Sequence, residues 1–118
     1  MNPDALVELC LSLPQAEESF PFGPETSVFK TTGNGKIFAL TDLTGRPLSV
    51  SLKCDPEEGR ALRDEFAEHI TPGYHLNKKH WITIVLDGTV PHELVEQLVR
   101  DSHALVRPRV PRQPRTSA

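Results

Sequence analysis

Three runs of strand-forming residues lie so close together that their connections decide how they pair. Glu25–Thr31, Lys36–Thr41 and Pro47–Lys53 are separated by turns at Gly33-Asn34-Gly35 and Asp42–Arg46. Glycine, asparagine and aspartate supply the backbone conformations that tight turns need. Connections this short join antiparallel neighbours, because a parallel pair needs a crossover of a dozen or more residues. Residues 15–53 therefore read as a β-meander, with Ser19–Phe22 as its short first strand or extended lead-in. In the last run Leu48, Val50 and Leu52 alternate with Ser49, Ser51 and Lys53. Such alternation gives one dry face and one wet face.

Helices flank the meander. Asn2 suits a helix cap, Pro3 its first turn and Asp4 the positive end of its dipole. Leu6, Leu9, Cys10 and Leu13 follow at helical spacing, and Pro14 stops the run. Asp55-Pro56-Glu57-Glu58 matches a capping box and opens a second helix, with Leu62 and Phe66 as its apolar positions. Thr71 to Lys79 shows a Pro72-Gly73 turn and no periodicity. His80–Leu86 alternates again, with His80, Ile82, Ile84 and Leu86 on one side and Trp81, Thr83 and Val85 on the other. Asp87-Gly88 turns the chain into a final helix with Pro91 near its start. Its expected stripe is Leu94, Val95, Leu98, Val99, Leu105 and Val106.

Helices gathered on one face of an antiparallel sheet make an α+β two-layer sandwich. The other face is expected to stay partly open, carrying Ser49, Ser51 and Lys53, with Trp81 and Thr83. The 118 residues suffice for one domain with a real core. That domain is expected to span residues 1–106. Residues 107–118 alternate arginine with proline and read as a disordered basic tail. No targeting segment is visible and no apolar run approaches the ~20 residues of a membrane span. A soluble, cytoplasmic chain without membrane contact is the expectation.

The charge is uneven. The residues before Arg107 include nine basic and sixteen acidic groups, a net of −7, whereas the tail carries four arginines and no acid. An acidic body repels nucleic acid on average, so any such contact needs a local patch.

Catalytic signatures are sparse. No serine sits in a nucleophile elbow. Two cysteines make no disulfide framework, and Cys10 falls on a buried helix face, where a thiol is inert. Cys54 precedes a helix start, a place that can lower a thiol pKa. Gly33-Asn34-Gly35 sits in a hairpin, so it is a turn and not a phosphate loop. Adjacent carboxylates such as Glu17-Glu18 and Glu57-Glu58 read as solvated surface. His69, His75 and His80 offer imidazoles within twelve residues, but without a zinc-motif spacing. His69 is better placed to close the second helix against its negative pole. No catalysis and no cofactor are expected. The remaining cluster, Tyr74-His75-Leu76-Asn77-Lys78-Lys79-His80-Trp81, mixes cations, an amide and aromatics. That mixture suits phosphate contacts combined with stacking or groove contacts.

Several segments together resemble the MmcQ/YjbR-like family of small bacterial proteins. They are Leu-Pro at 13–14, Phe-Pro-Phe-Gly-Pro at 20–24, Val-Phe-Lys at 28–30, Lys-Ile-Phe-Ala-Leu at 36–40 and Leu-Lys-Cys-Asp-Pro at 52–56. The run Pro-Gly-Tyr-His-Leu-Asn-Lys-Lys-His-Trp at 72–81 is the most specific of them, and Asp87-Gly88 with the last helix also matches. The likeness covers roughly residues 5 to 106. It implies a fold similar to the frataxin/CyaY group and a DNA-binding "double wing" arrangement. Carried over by position, it makes Tyr74, His75, Asn77, Lys78, Lys79 and Trp81 the contact surface, with Lys53 nearby. The expected function is a non-catalytic module that binds duplex DNA through a local basic patch. The alternatives are a protein- or small-ligand-binding domain using the open sheet face, and a metal-handling protein.

Overall fold

The computed structural model describes residues 1–73 and 76–108. Its elements run α1 (Pro3–Leu11), β1 (Ala16–Ser19), β2 (Thr26–Thr31), β3 (Ile37–Asp42), β4 (Ser49–Lys53), α2 (Pro56–Glu65), β5 (Ile70–Pro72), β6 (Trp81–Val85) and α3 (His92–Val106). The strands form one antiparallel sheet in the order β1-β2-β3-β4-β6-β5. The first four follow chain order because their turns are short. After β4 the chain crosses through α2 to the far edge, and β6 returns between β4 and β5.

All three helices cover one sheet face. Leu6 and Cys10 of α1, Leu62 of α2, and Val95, Leu98 and Val99 of α3 share one core with Phe29, Val50, Leu52, Ile70, Ile82 and Ile84. Those strand residues alternate with neighbours on the face without helices, as the period of two demands. Strand register lines up Val28, Leu40, Ser51, Thr83 and Thr71 in a single row across that uncovered face. The α+β two-layer sandwich read from the sequence is the fold.

The helix starts are capped as their sequences suggest. Asn2 Oδ1 accepts from the Ala5 amide at 2.7 Å. Asp55 Oδ1 accepts from the amides of Glu57 at 3.0 Å and Glu58 at 3.4 Å. Each cap takes up amides that have no partner inside the helix.

Four expectations need correction. The opening strand is Ala16–Ser19, not Ser19–Phe22. Phe20 and Phe22 are exposed in the following loop, where Pro21 and the positive φ of Gly23 oppose strand pairing. The segment without periodicity contains a strand, β5, too short for a pattern to register. Leu105 is 54% exposed, while Ser102 and His103 take the buried places beside Leu98 and Val99. Glu18 is bound, not simply solvated: its carboxylate accepts from the Ser27 hydroxyl at 2.6 Å.

Candidate nucleic-acid interface

Lys53 and Trp81 stand opposite each other in the β4–β6 register. Their neighbours Leu52 and Ile82 point into the core, so both side chains lie on the face without helices, half-buried. Two local devices fix them. The β3–β4 ladder ends at Ala39 and Leu52. Beyond it the Ser102 hydroxyl of α3 accepts from the Lys53 amide at 2.9 Å and donates to the Phe38 carbonyl at 2.6 Å. One hydroxyl thus replaces the next rung of the ladder. On the other side, the Gly73 amide donates to the Trp81 carbonyl at 2.8 Å. A Cβ on Gly73 would come within 2.5 Å of Trp81 Cβ, so only glycine allows this approach.

The Asn77–His80 turn then presents the lysines. Asn77 Oδ1 accepts from the Lys79 amide at 3.0 Å, an Asx turn. The Asn77 carbonyl accepts from the amides of His80 at 3.1 Å and Trp81 at 3.0 Å. The side-chain oxygen of Asn77 is therefore engaged in building the turn. Lys78 and Lys79 project from it, exposed. Tyr74 and His75 lie outside the described residues.

The same end of the sheet carries the β2–β3 hairpin, because antiparallel pairing sets the start of β3 beside the end of β4. Lys30 and Lys36 flank that hairpin. Asn34 ties it to α3, with Nδ2 donating to the Val106 carbonyl at 2.8 Å. Pro108 packs on Gly33, where a Cβ would come within 2.5 Å of the proline ring. Arg107 thus emerges at the lysine-bearing end of the sheet. Asn34 and Ser102 were missed in the sequence. Ser102 does fall at core spacing from Leu98 and Val99, which was the available signal.

The YjbR family profile matches residues 11–105, which is most of the chain and spans every element from β1 through nearly all of α3. The chain belongs to the YjbR family. It is 43% identical over 99 residues to the uncharacterized protein YbdF of Escherichia coli O157:H7, covering 83% of this chain and 78% of that one. It is 34% identical over 104 residues to the uncharacterized protein YjbR of Escherichia coli K12, covering 87% and 85%. Among solved structures, Deinococcus radiodurans protein DR2400 superimposes with a TM-score of 0.84 at 51% identity, covering 88% of this chain and 77% of that one. A Pseudomonas syringae protein superimposes with a TM-score of 0.77 at 28% identity, covering 91% and 100%.

In this YjbR-family chain, charge is segregated by layer. The three helices hold nine acidic and three basic residues, a net of −6. The six strands hold three acidic and two basic, a net of −1. The acidity that argues against nucleic acid is thus concentrated behind the sheet. The thiols are poor nucleophiles. Burial pushes Cys10 up to about 12, with Glu18 adding to it. Cys54 is raised as well, by desolvation first and then by Glu58. That reverses the expectation from its place before α2, because burial and nearby carboxylates outweigh the helix start. His69 does not close α2, which ends at Glu65. Instead its Nε2 pairs with Asp87 Oδ2 at 3.0 Å. No group of three or more His, Cys, Asp or Glu placed to hold a metal occurs among the described residues. None of their helices is long and apolar enough to cross a membrane.

Proposed function

We propose that this YjbR-family chain is a non-catalytic DNA-binding module. It uses Lys53, Lys78 and Lys79 to engage the sugar–phosphate backbone around Trp81. The observation that carries this reading is the β4–β6 register. It sets Lys53 opposite Trp81 on the uncovered face, at the sheet end where the Asn77 turn projects two more lysines. Phosphate contacts fix position and orientation without reading sequence, and nothing about a preferred base sequence follows from them. Trp81 offers an aromatic surface with a cation beside it, a combination suited to stacking or groove contact.

Binding of the full chain to duplex DNA at two salt concentrations tests this. Lys78→Ala with Lys79→Ala should weaken binding and flatten the plot of log affinity against log salt by ~0.9 for each lost contact. Binding that is insensitive to salt, or unchanged in the double variant, overturns the reading. A second reading, recognition of a protein or small ligand on the open sheet, draws on the apolar members of that face. Leu40 and Val85 lie there, half-buried, without a helix above them. Absent DNA binding together with a saturable partner on that face would favour it.

A further inference from the structure

Every lysine in the chain lies at one end of the sheet. Lys30 is on β2, Lys36 just before β3, Lys53 on β4, and Lys78 and Lys79 in the turn before β6. The arginines up to residue 100 lie elsewhere: Arg46 in the β3–β4 turn at the opposite end, Arg60 and Arg63 on α2, and Arg100 on α3. We propose that the phosphate-binding surface runs across the whole of this sheet end, so that Lys30 and Lys36 contact the same duplex as Lys53, Lys78 and Lys79. This extension rests on the nucleic-acid reading and adds the β2–β3 hairpin to it.

Three observations join the hairpin to the site. Phe29 points into the core, so alternation sets Lys30 on the face without helices, the face of Lys53 and Trp81. Next, one device presents a lysine twice. Asn34 Oδ1 accepts from the Lys36 amide at 3.1 Å, as Asn77 Oδ1 accepts from the Lys79 amide at 3.0 Å. The first turn leads into β3 and the second into β6, the two neighbours of β4, so the turns flank Lys53. Neighbouring strands lie ~4.8 Å apart, which separates the two turns by ~10 Å and β2 from β6 by ~14 Å. Phosphates recur every ~3.4 Å along each strand of DNA, so a surface this wide suits a polymer and not a single phosphate. Lastly, the lysines are available. None is in an ion pair with a described residue, not even Lys30 with Glu17, which stands across from it in the β1–β2 register. The hairpin is held in advance by the bond from Asn34 to the Val106 carbonyl, and a preorganised site loses less on binding.

Binding of the full chain to duplex DNA across a salt series tests this. Lys30→Gln with Lys36→Gln keeps the aliphatic stems and should flatten the plot of log affinity against log salt by ~1.8, at 0.9 for each contact. Lys36→Gln alone, at an exposed position, should flatten it by ~0.9. Arg60→Gln with Arg100→Gln removes the same charge from the helices and should leave the slope as it is. In the parent, the amide signals of Lys30 and Lys36 should shift at the same duplex concentrations as that of Lys53. Suppose Lys78→Ala with Lys79→Ala flattens the slope while Lys30→Gln with Lys36→Gln does not: the extension is then overturned and the nucleic-acid reading stands. Equal flattening by the helix pair overturns it too, because the attraction then follows net charge. A parent without salt-sensitive binding ends both.

Discussion

Ser102 shows how much one side chain can hold. Its hydroxyl is fully buried and satisfies two backbone groups at once, the Lys53 amide and the Phe38 carbonyl. Ser102→Ala would leave both without a partner where water does not reach. Each unsatisfied buried group costs about 1–3 kcal/mol, so urea unfolding should show a loss of about 2–4 kcal/mol. The Lys53 amide should also exchange its hydrogen faster. A loss under about 0.5 kcal/mol would mean that the strands close up without the hydroxyl. The neighbouring His103 works in the same way, donating through Nε2 to the Pro14 carbonyl at 2.7 Å while its ring meets Phe38 edge-on. Neither residue was legible as core, because both are polar and their value depends on partners far away in sequence. Leu105 misled in the opposite direction: it is apolar, yet helix spacing sets it at the edge of the stripe, where it stays exposed.

Among the elements, those whose burial is one-sided and several residues long could be read from sequence. β4 and β6 alternate cleanly because each buries one face, and α1 and α2 announce themselves by their caps. β1 and β5 could not be read, for one shared reason. Both are edge strands, held by pairing on a single side, so their residues need not alternate. β1 carries two glutamates and β5 ends in proline, features that keep sheet edges from recruiting other chains. The pairing of Lys53 with Trp81 was hidden for a related reason. It depends on β6 returning beside β4, across a connection that holds both α2 and β5, and no local signal specifies that register. The cap of α2 is testable at this scale. Asp55→Ala removes the acceptor for the Glu57 and Glu58 amides and should lower stability by about 1 kcal/mol. Asp55→Asn keeps the oxygen and should restore most of it. Equal losses in the two variants, read by urea unfolding, would show that the charge and not the hydrogen bond matters.

The whole molecule is divided by charge and by the pH range in which its parts hold. Acidic side chains crowd the helices, while the sheet end at Lys53 gathers cations. The opposite end of the sheet carries Asp42 and Asp87, each bonded into its own turn. Thr44 donates to Asp42 from its hydroxyl at 2.7 Å and its amide at 2.9 Å, and the Thr89 amide donates to Asp87 at 3.0 Å. These bonds hold both carboxyls below the usual carboxylate range. The stability they contribute is present above that range and is lost as pH falls through the lowered values. The alkaline side belongs to Cys10. Buried on the sheet-facing side of α1, it keeps its proton up to about 12, whereas the unfolded chain releases it near 9.0. A group whose folded pKa is raised contributes stability fully below its unfolded pKa, and that stability is lost as pH rises toward the folded value. Between pH 9 and 12 the unfolding free energy should therefore fall, with Cys10 accounting for at most about 1.4 kcal/mol per pH unit. Cys10→Ala should lower stability at pH 7, because it opens space in the core, yet make the alkaline slope shallower. Urea unfolding of both proteins at pH 7, 9 and 10.5 separates the two effects. Parallel curves would show that Cys10 ionises as easily in the fold as in the unfolded chain, and that the core does not shield it.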